Sequence, residues 1–166
     1  MINTRKAIGG SFLAIVILAI AQIFAQLVAS LFVLIKVSTG ICNILAGIIY
    51  VVLAYVLLKL FAEKIYKIKM ENLGMSKFSI QTKWIIAAIL LPVIVKAIYI
   101  FLFSGEYIFS GMNNNEIFST LSAGIVFTGI AAGFVEEMVF RGLILNLLKS
   151  RWNTLVAVLV LSLIHI

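Results

Sequence analysis

Residues 117–142 read IFSTLSAGIVFTGIAAGFVEEMVFRG, an apolar run that ends in two adjacent glutamates and an arginine. Such a run is typical of a helix that crosses a membrane, because about 20 residues rising about 1.5 Å each span a hydrocarbon core of about 30 Å. The stretch therefore predicts a transmembrane helix over about residues 117–140. Glu136 and Glu137 would lie about one helical turn inside its end.

The composition of the whole chain agrees with this prediction. Hydrophobic residues make up 64% of the 166 residues, charged residues only 11%, and the mean hydropathy is +1.23. Soluble domains carry about 25% charged residues. The apolar runs are continuous and lack the alternation of a β-barrel. We therefore predict an all-α, polytopic transmembrane helix bundle that forms a single domain over residues 1–166.

Four other apolar runs predict the remaining helices. The first three correspond to spans over about residues 8–35, 41–61 and 84–103. The last run begins near Thr154 and reaches Ile166 after 13 residues, too few to cross the hydrocarbon core at about 1.5 Å per residue. The pattern predicts four full spans plus an incomplete fifth. We therefore expect the chain to be a truncated form of a longer protein.

The basic residues predict the orientation. The segment from Lys59 to Lys83 contains six lysines and only two glutamates, and basic residues also follow the fourth span. The loop 104–116, in contrast, contains acids but no basic residue. By the positive-inside rule, the N-terminus is cytoplasmic in a multi-pass protein of the plasma membrane. The formal charge of +7 then indicates contact with anionic lipid headgroups and not with nucleic acid.

The two glutamates at the end of the fourth span need a physical account. An ionised carboxylate at mid-bilayer costs at least about 2.5 kcal/mol. Glu137 and Arg141 are spaced i, i+4, which favours an ion pair on a helix. Glu136 has no basic residue at such a spacing and shares a face with small residues such as Gly133, so it is a candidate general base near a packed interface or cavity. Alternatively, both acids extend from the helix end into water.

The only histidine of the chain, His165, lies in the fifth apolar run. Two helices joined by a turn would bring it to a depth similar to that of Glu136, where an imidazole opposite a carboxylate can activate a water molecule. The alternative is a core histidine bonded to a carbonyl group. Glu136, Glu137 and His165 offer at most three metal ligands, and zinc usually has more nitrogen or sulfur ligands. We therefore expect no cofactor, with zinc as the weaker alternative.

These residues resemble the motifs of a known family. Residues 136–141, EEMVFR, are similar to the Glu-Glu-x-x-x-Arg motif of the CPBP intramembrane proteases, which include type II CAAX prenyl endopeptidases and bacteriocin-processing or bacteriocin-immunity proteins. Residues 161–165, LSLIH, resemble the family's second motif, Phe-x-x-x-His, with leucine in the first position. The resemblance is specific over about residues 134–166. A third motif, His-x-x-x-Asn or His-x-x-x-Asp, is absent from the 166 residues.

The resemblance implies an intramembrane endopeptidase that hydrolyses peptides or membrane proteins near the cytoplasmic leaflet. Glu136 and His165 would activate the attacking water, and Glu137 and Arg141 would form a supporting ion pair. The third motif would stabilise the oxyanion, so its absence leaves open whether this chain is an enzyme. The alternative is a non-catalytic membrane protein of the same fold that acts in bacteriocin self-immunity or partner binding.

Overall fold

A computed structural model describes residues 3–69, 82–103 and 111–165, and these ranges contain helices and no strand. The five helices are α1 (Thr4–Leu34), α2 (Thr39–Tyr66), α3 (Thr82–Leu102), α4 (Asn114–Lys149) and α5 (Thr154–His165). Of the helices in these ranges, α1, α2 and α4 are long and apolar enough to cross a membrane, and shorter apolar helices cover Leu90–Leu102 and Thr154–Leu163. The prediction of an all-α transmembrane bundle is confirmed.

The chain forms two compact units. The first contains Met1–Met75 and Asn113–Ile166, and the second contains Ser76–Met112. Within the second unit, α3 has Pro92 in its interior, and the Lys96 ammonium lies 5.3 Å from the centre of the Tyr99 ring. Residues 70–81 of the lysine-rich connector and residues 104–110 of the predicted loop lie outside the described residues.

Small side chains line the interface between α1 and α2, which pack together along their lengths. The buried stripe of α1 consists mainly of alanine, at positions 7, 14, 21, 25 and 29. Alanine allows two helices to approach closely, which is how transmembrane helices gain packing energy in the absence of a hydrophobic driving force. Larger side chains such as Phe24 and Leu27 point outward and are more than half exposed. An apolar outer surface of this kind suits contact with lipid tails.

The N-terminus of α1 is fixed to the C-terminal ends of other helices. The Asn3 side chain caps α1 by accepting a hydrogen bond from the Lys6 amide at 2.8 Å. At the end of α2, the Tyr66 hydroxyl donates a hydrogen bond to the Lys6 carbonyl oxygen at 2.7 Å. After α4, the Arg151 guanidinium donates to Thr4 Oγ1 at 2.9 Å. These contacts gather the ends of three helices at one end of the first unit.

Helices α2 and α4 run side by side in the same direction. Near the start of both helices, the Asn43 amide donates hydrogen bonds to the Ser119 carbonyl oxygen at 3.1 Å and to the Ser122 hydroxyl at 3.2 Å. Further along, Gly47 lies against Ala131, where a Cβ at the glycine would be 3.4 Å from the alanine Cβ. These two contacts fix the register of α2 against α4.

Helix α4 is longer than the sequence predicts. The predicted end at Phe140 is wrong, because the helix continues without interruption to Lys149. Residues 143–148, LILNLL, extend the apolar pattern, and the buried side chains among them join the hydrophobic core. The connection to α5 is therefore only the short segment 150–153. Glu136 lies 13 residues before the helix end, about 20 Å along the axis, and not one turn from it.

Candidate functional site

The glutamates occupy a single α-helical turn of α4, Gly133–Glu137, between wider π-helical stretches at Ser122–Ala132 and Met138–Ile144. Such π-helical turns are often found at functional sites. Val135 and Val139 on this part of the helix are completely buried in the core. Because successive residues of a helix are about 100° apart, Glu136 lies at the boundary between this buried face and the opposite face.

Glu137 and Arg141 form the ion pair that their spacing predicts. The Arg141 Nε atom lies 3.2 Å from Glu137 Oε2, and the two side chains are 76% and 59% exposed, respectively. Exposed pairs of this kind contribute about 0.2–1 kcal/mol when water surrounds them. The contact therefore orients the two side chains more than it stabilises the fold.

Glu136 is partly buried, and the turn of α4 that carries it lies against α2, the helix that contains Tyr50. The Tyr50 side chain is only 1% exposed and belongs to the same core cluster as Val135. Sequence reasoning did not identify Tyr50. A tyrosine in the middle of an apolar span was the available signal, but one sequence does not indicate which helix it faces.

The glutamates and the arginine line one cleft between α4 and α5. Its volume is about 770 Å³, within the range of small-molecule and peptide sites. Apolar side chains from both helices form much of the wall. The residues that line the cleft are Gly133, Glu136, Glu137, Phe140, Arg141 and Leu145 from α4, and Val158, Leu161 and Ser162 from α5. The structure thus brings three of the four predicted site residues to one cavity.

Position 165 is the last described residue of α5, and its side chain lies outside the described part of the structure. The backbone nevertheless fixes the position of residue 165 along the axis of α5. His165 is 11 residues after the start of α5, about 16 Å along the axis, whereas Glu136 is about 20 Å from the end of α4. Position 165 also follows Leu161 and Ser162 by four and three residues, the spacing of one helix face. The contact predicted between Glu136 and His165 stays a prediction.

The other polar groups of the cleft contribute little chemistry of their own. The Ser162 hydroxyl donates to the Val158 carbonyl oxygen of its own helix at 2.9 Å, so it is already engaged. Within the side chains that the structure describes, no group of three or more His, Cys, Asp or Glu residues is placed to hold a metal ion. The His165 side chain is outside that set, and the expectation that the site needs no cofactor stays a prediction.

The fold and the cleft define an integral membrane protein of helical type, with two carboxylates and an arginine facing a cavity between two of its helices. Residues 118–166 match the family model described as type II CAAX prenyl endopeptidase Rce1-like, and this match contains both motifs. This part of the chain is therefore similar to the type II CAAX prenyl endopeptidases, and the match supports the resemblance to the CPBP family. No curated protein and no solved structure matched the chain.

Proposed function

We propose that the protein is an intramembrane endopeptidase whose active site is the cleft between α4 and α5. The observation that carries this proposal is that Glu136, Glu137 and Arg141 line a single cavity of about 770 Å³ inside the residues that match the family. A candidate general base, a second acid paired with an arginine and a cavity large enough for a peptide are among the components that hydrolysis uses.

In the proposed reaction, Glu136 accepts a proton from a water molecule as the water oxygen attacks the carbonyl carbon of the scissile bond. His165 orients the same water through a hydrogen bond. The tetrahedral intermediate then collapses, the C–N bond breaks, and the proton held by Glu136 passes to the departing amine. The ion pair between Glu137 and Arg141, 3.2 Å apart, fixes the neighbouring turn of α4. General acid–base catalysis of this kind contributes about 10²–10⁴-fold to the rate.

The substrate we propose is a peptide or membrane protein with an apolar group beside the scissile bond. Phe140, Leu145, Val158 and Leu161 give the cleft apolar walls. Such walls favour aliphatic or prenyl groups, since apolar groups gain about 25 cal/mol per Å² when they leave water. The family description, which names prenyl endopeptidases, supports the same class of substrate.

We further propose that the N-terminus and the end of α4 face the cytoplasm in a plasma membrane. The hydrogen bond between Arg151 and Thr4 gathers the basic residues at both places to the same end of the first unit. The positive-inside rule assigns such an end to the cytoplasm. Labelling of single cysteines introduced at positions 4 and 151 in intact cells tests the orientation, and reaction of either with an impermeant reagent would contradict it.

The central experiment measures cleavage of quenched fluorescent peptides, with and without a prenyl group, by the chain in proteoliposomes. We expect Glu136→Gln and His165→Ala to lower turnover by about 10²-fold or more. The matched control is Glu116→Gln, a glutamate of the same helix that lies outside the cleft and closes a capping box with Asn113, a role that glutamine can also fill. Undiminished turnover in Glu136→Gln would refute the proposed mechanism.

A wild-type chain that cleaves none of the peptides would overturn the proposed activity. The non-catalytic alternative then makes its own prediction, namely protection of cells against a bacteriocin that survives Glu136→Gln. Because the control Glu116→Gln is made on the same background, a general loss of folded protein is distinguished from a specific loss of function in both assays.

A further inference from the structure

The basic residues of the first unit are concentrated at the end where α1 begins and where α2 and α4 end. This basic end comprises residues 3–6, 62–69 and 145–153. These ranges contain seven lysines or arginines, all of them exposed, and a single acid, Glu63. The net charge of the chain indicates contact with anionic lipid without indicating where that contact lies. The fold collects most of the excess positive charge on one surface.

Hydrogen bonds between the helix ends hold these charges close together. The Tyr66 hydroxyl donates to the Lys6 carbonyl oxygen at 2.7 Å, and the Arg151 guanidinium donates to Thr4 Oγ1 at 2.9 Å. Like charges collected on one surface repel one another and destabilise the compact state. One acid does not balance seven cations, so the remaining negative charge has to come from the surroundings of the basic end.

The length of α1 indicates which layer of a membrane surrounds the basic end. A helix of 31 residues is about 46 Å long, whereas a bilayer with its headgroups is about 40–45 Å thick. A spanning helix of this length places its first turn at the level of the lipid phosphates. Tyr66 and Trp152, both partly exposed, lie at the same end. Amphipathic rings of this kind are typical of the headgroup level.

We propose that the basic end is a binding surface for anionic phospholipids, whose headgroup phosphates are the counter-ions of its lysines and arginines. Phosphate oxygens accept charge-assisted hydrogen bonds from guanidinium and ammonium groups. Each lysine or arginine near an anionic membrane surface strengthens the attraction by about fivefold. Anionic lipids are therefore enriched over neutral lipids around this end. Lipid binding of this kind is independent of the proposed hydrolysis, because the cleft takes no part in it.

Fluorescence quenching by brominated lipids measures which lipids contact the basic end. Trp152 lies within it, and Trp84→Phe makes Trp152 the only tryptophan of the chain. The protein is reconstituted into phosphatidylcholine vesicles that contain a fixed fraction of either brominated phosphatidylglycerol or brominated phosphatidylcholine. We expect phosphatidylglycerol to be preferred around Trp152 by about fivefold or more. Equal quenching by the two brominated lipids would overturn the proposal.

Three substitutions test whether the helix ends act as one surface. Arg5→Gln, Lys64→Gln and Lys149→Gln each remove one charge from a different helix, and all three residues are exposed, so glutamine leaves the core undisturbed. Each should lower the preference for phosphatidylglycerol by about twofold, and the triple variant should bring it to within about twofold of unity. A triple variant that keeps the full preference would contradict binding at the basic end.

The matched control is Lys36→Gln, which removes one charge at the opposite end of the same unit. Lys36 is exposed and follows the end of α1, where residues 34–43 and 113–122 contain one lysine and one acid and therefore have no net charge. We expect the preference measured at Trp152 to be unchanged in this variant. A loss equal to that in Arg5→Gln would show a general effect of net charge and would overturn the basic end as the site.

Competition distinguishes a lipid phosphate from a soluble one. Inorganic phosphate should weaken the preference for phosphatidylglycerol no more than sodium chloride does at the same ionic strength, because both then act only by screening. A loss of preference that is specific to inorganic phosphate would assign the basic end to a soluble phosphate compound and overturn the lipid proposal. The assay uses no peptide substrate, so its result is separate from that of the cleavage assay.

Discussion

The closest contact between α1 and its neighbours makes Gly10→Ala the most informative test of the packing. A Cβ added at Gly10 would lie 2.6 Å from the Tyr66 Cζ atom, nearer still to the Tyr66 hydroxyl oxygen, and 3.2 Å from Leu147 Cδ1. The Tyr66 side chain is held in place by two contacts. The Tyr66 hydroxyl bonds to the Lys6 carbonyl oxygen, and its ring makes an edge contact with Phe61 at 5.4 Å.

The expected magnitude follows from three contributions. Relief of the overlap requires displacement of the Tyr66 ring, and such overpacking costs about 1–3 kcal/mol. Loss of the hydrogen bond to Lys6 adds about 0.5–1.5 kcal/mol. Replacement of glycine by alanine in a helix returns about 1 kcal/mol. We therefore expect Gly10→Ala to lower the free energy of unfolding by about 0.5–3.5 kcal/mol.

The adjacent glycine provides the control, because a Cβ at Gly9 would have no atom within 4 Å. Gly9→Ala should be neutral or stabilise the protein by up to about 1 kcal/mol. A second control removes the obstacle, since in a Tyr66→Ala background the change Gly10→Ala should no longer destabilise. Unfolding of the wild type and of these four variants by a denaturing detergent gives the free energies to compare. Equal stability of Gly9→Ala and Gly10→Ala would refute the close approach of α1 to the end of α2.

Three further experiments test other parts of the structure by the same unfolding assay. Leu143→Ala removes a side chain that is 1% exposed and should lower the free energy of unfolding by about 2–5 kcal/mol. Leu121→Ala changes a side chain that is 51% exposed and should cost far less. Similar losses of stability in the two variants would contradict the assigned core. Asn43→Ala removes two hydrogen bonds between α2 and α4 and should cost about 1–3 kcal/mol, and a neutral result would argue against that register. A double-mutant cycle of Glu137→Ala with Arg141→Ala should give a coupling no larger than about 1 kcal/mol, and a coupling of several kcal/mol would show that the pair is shielded from water.

The features that the sequence predicts are those encoded within one helix. Apolar runs define the bundle, and the spacing of Glu137 and Arg141 predicts their ion pair, because both depend on residues a few positions apart. The end of α4 was not predictable in the same way. The charge of Arg141 predicts the end of the apolar span, but a charge marks where a chain leaves lipid and not where its backbone leaves the helical conformation. The helix ends only at Lys149, beyond a further apolar turn.

The packing of α2 against α4 illustrates what one sequence does not contain. Gly47 and Ala131, which are in contact and fix the relative level of the two helices, are distant in the chain. No periodicity within α2 or α4 encodes that level. The match of residues 118–166 to the family model likewise includes most of α4 but excludes α2, so similarity to the family does not identify this packing either.

The division of α4 into two faces explains how an apolar helix can carry the glutamates. Val135 is fully buried against the core, and Glu136, one residue later, is turned about 100° towards the cleft. If α5 packed tightly against that face, an ionised Glu136 would pay a desolvation cost of several kcal/mol. A cleft of about 770 Å³ instead leaves room for water, which would solvate the carboxylate and is also the second reactant of the proposed hydrolysis. The loose packing between α4 and α5 therefore serves both the stability of the charged site and its proposed chemistry.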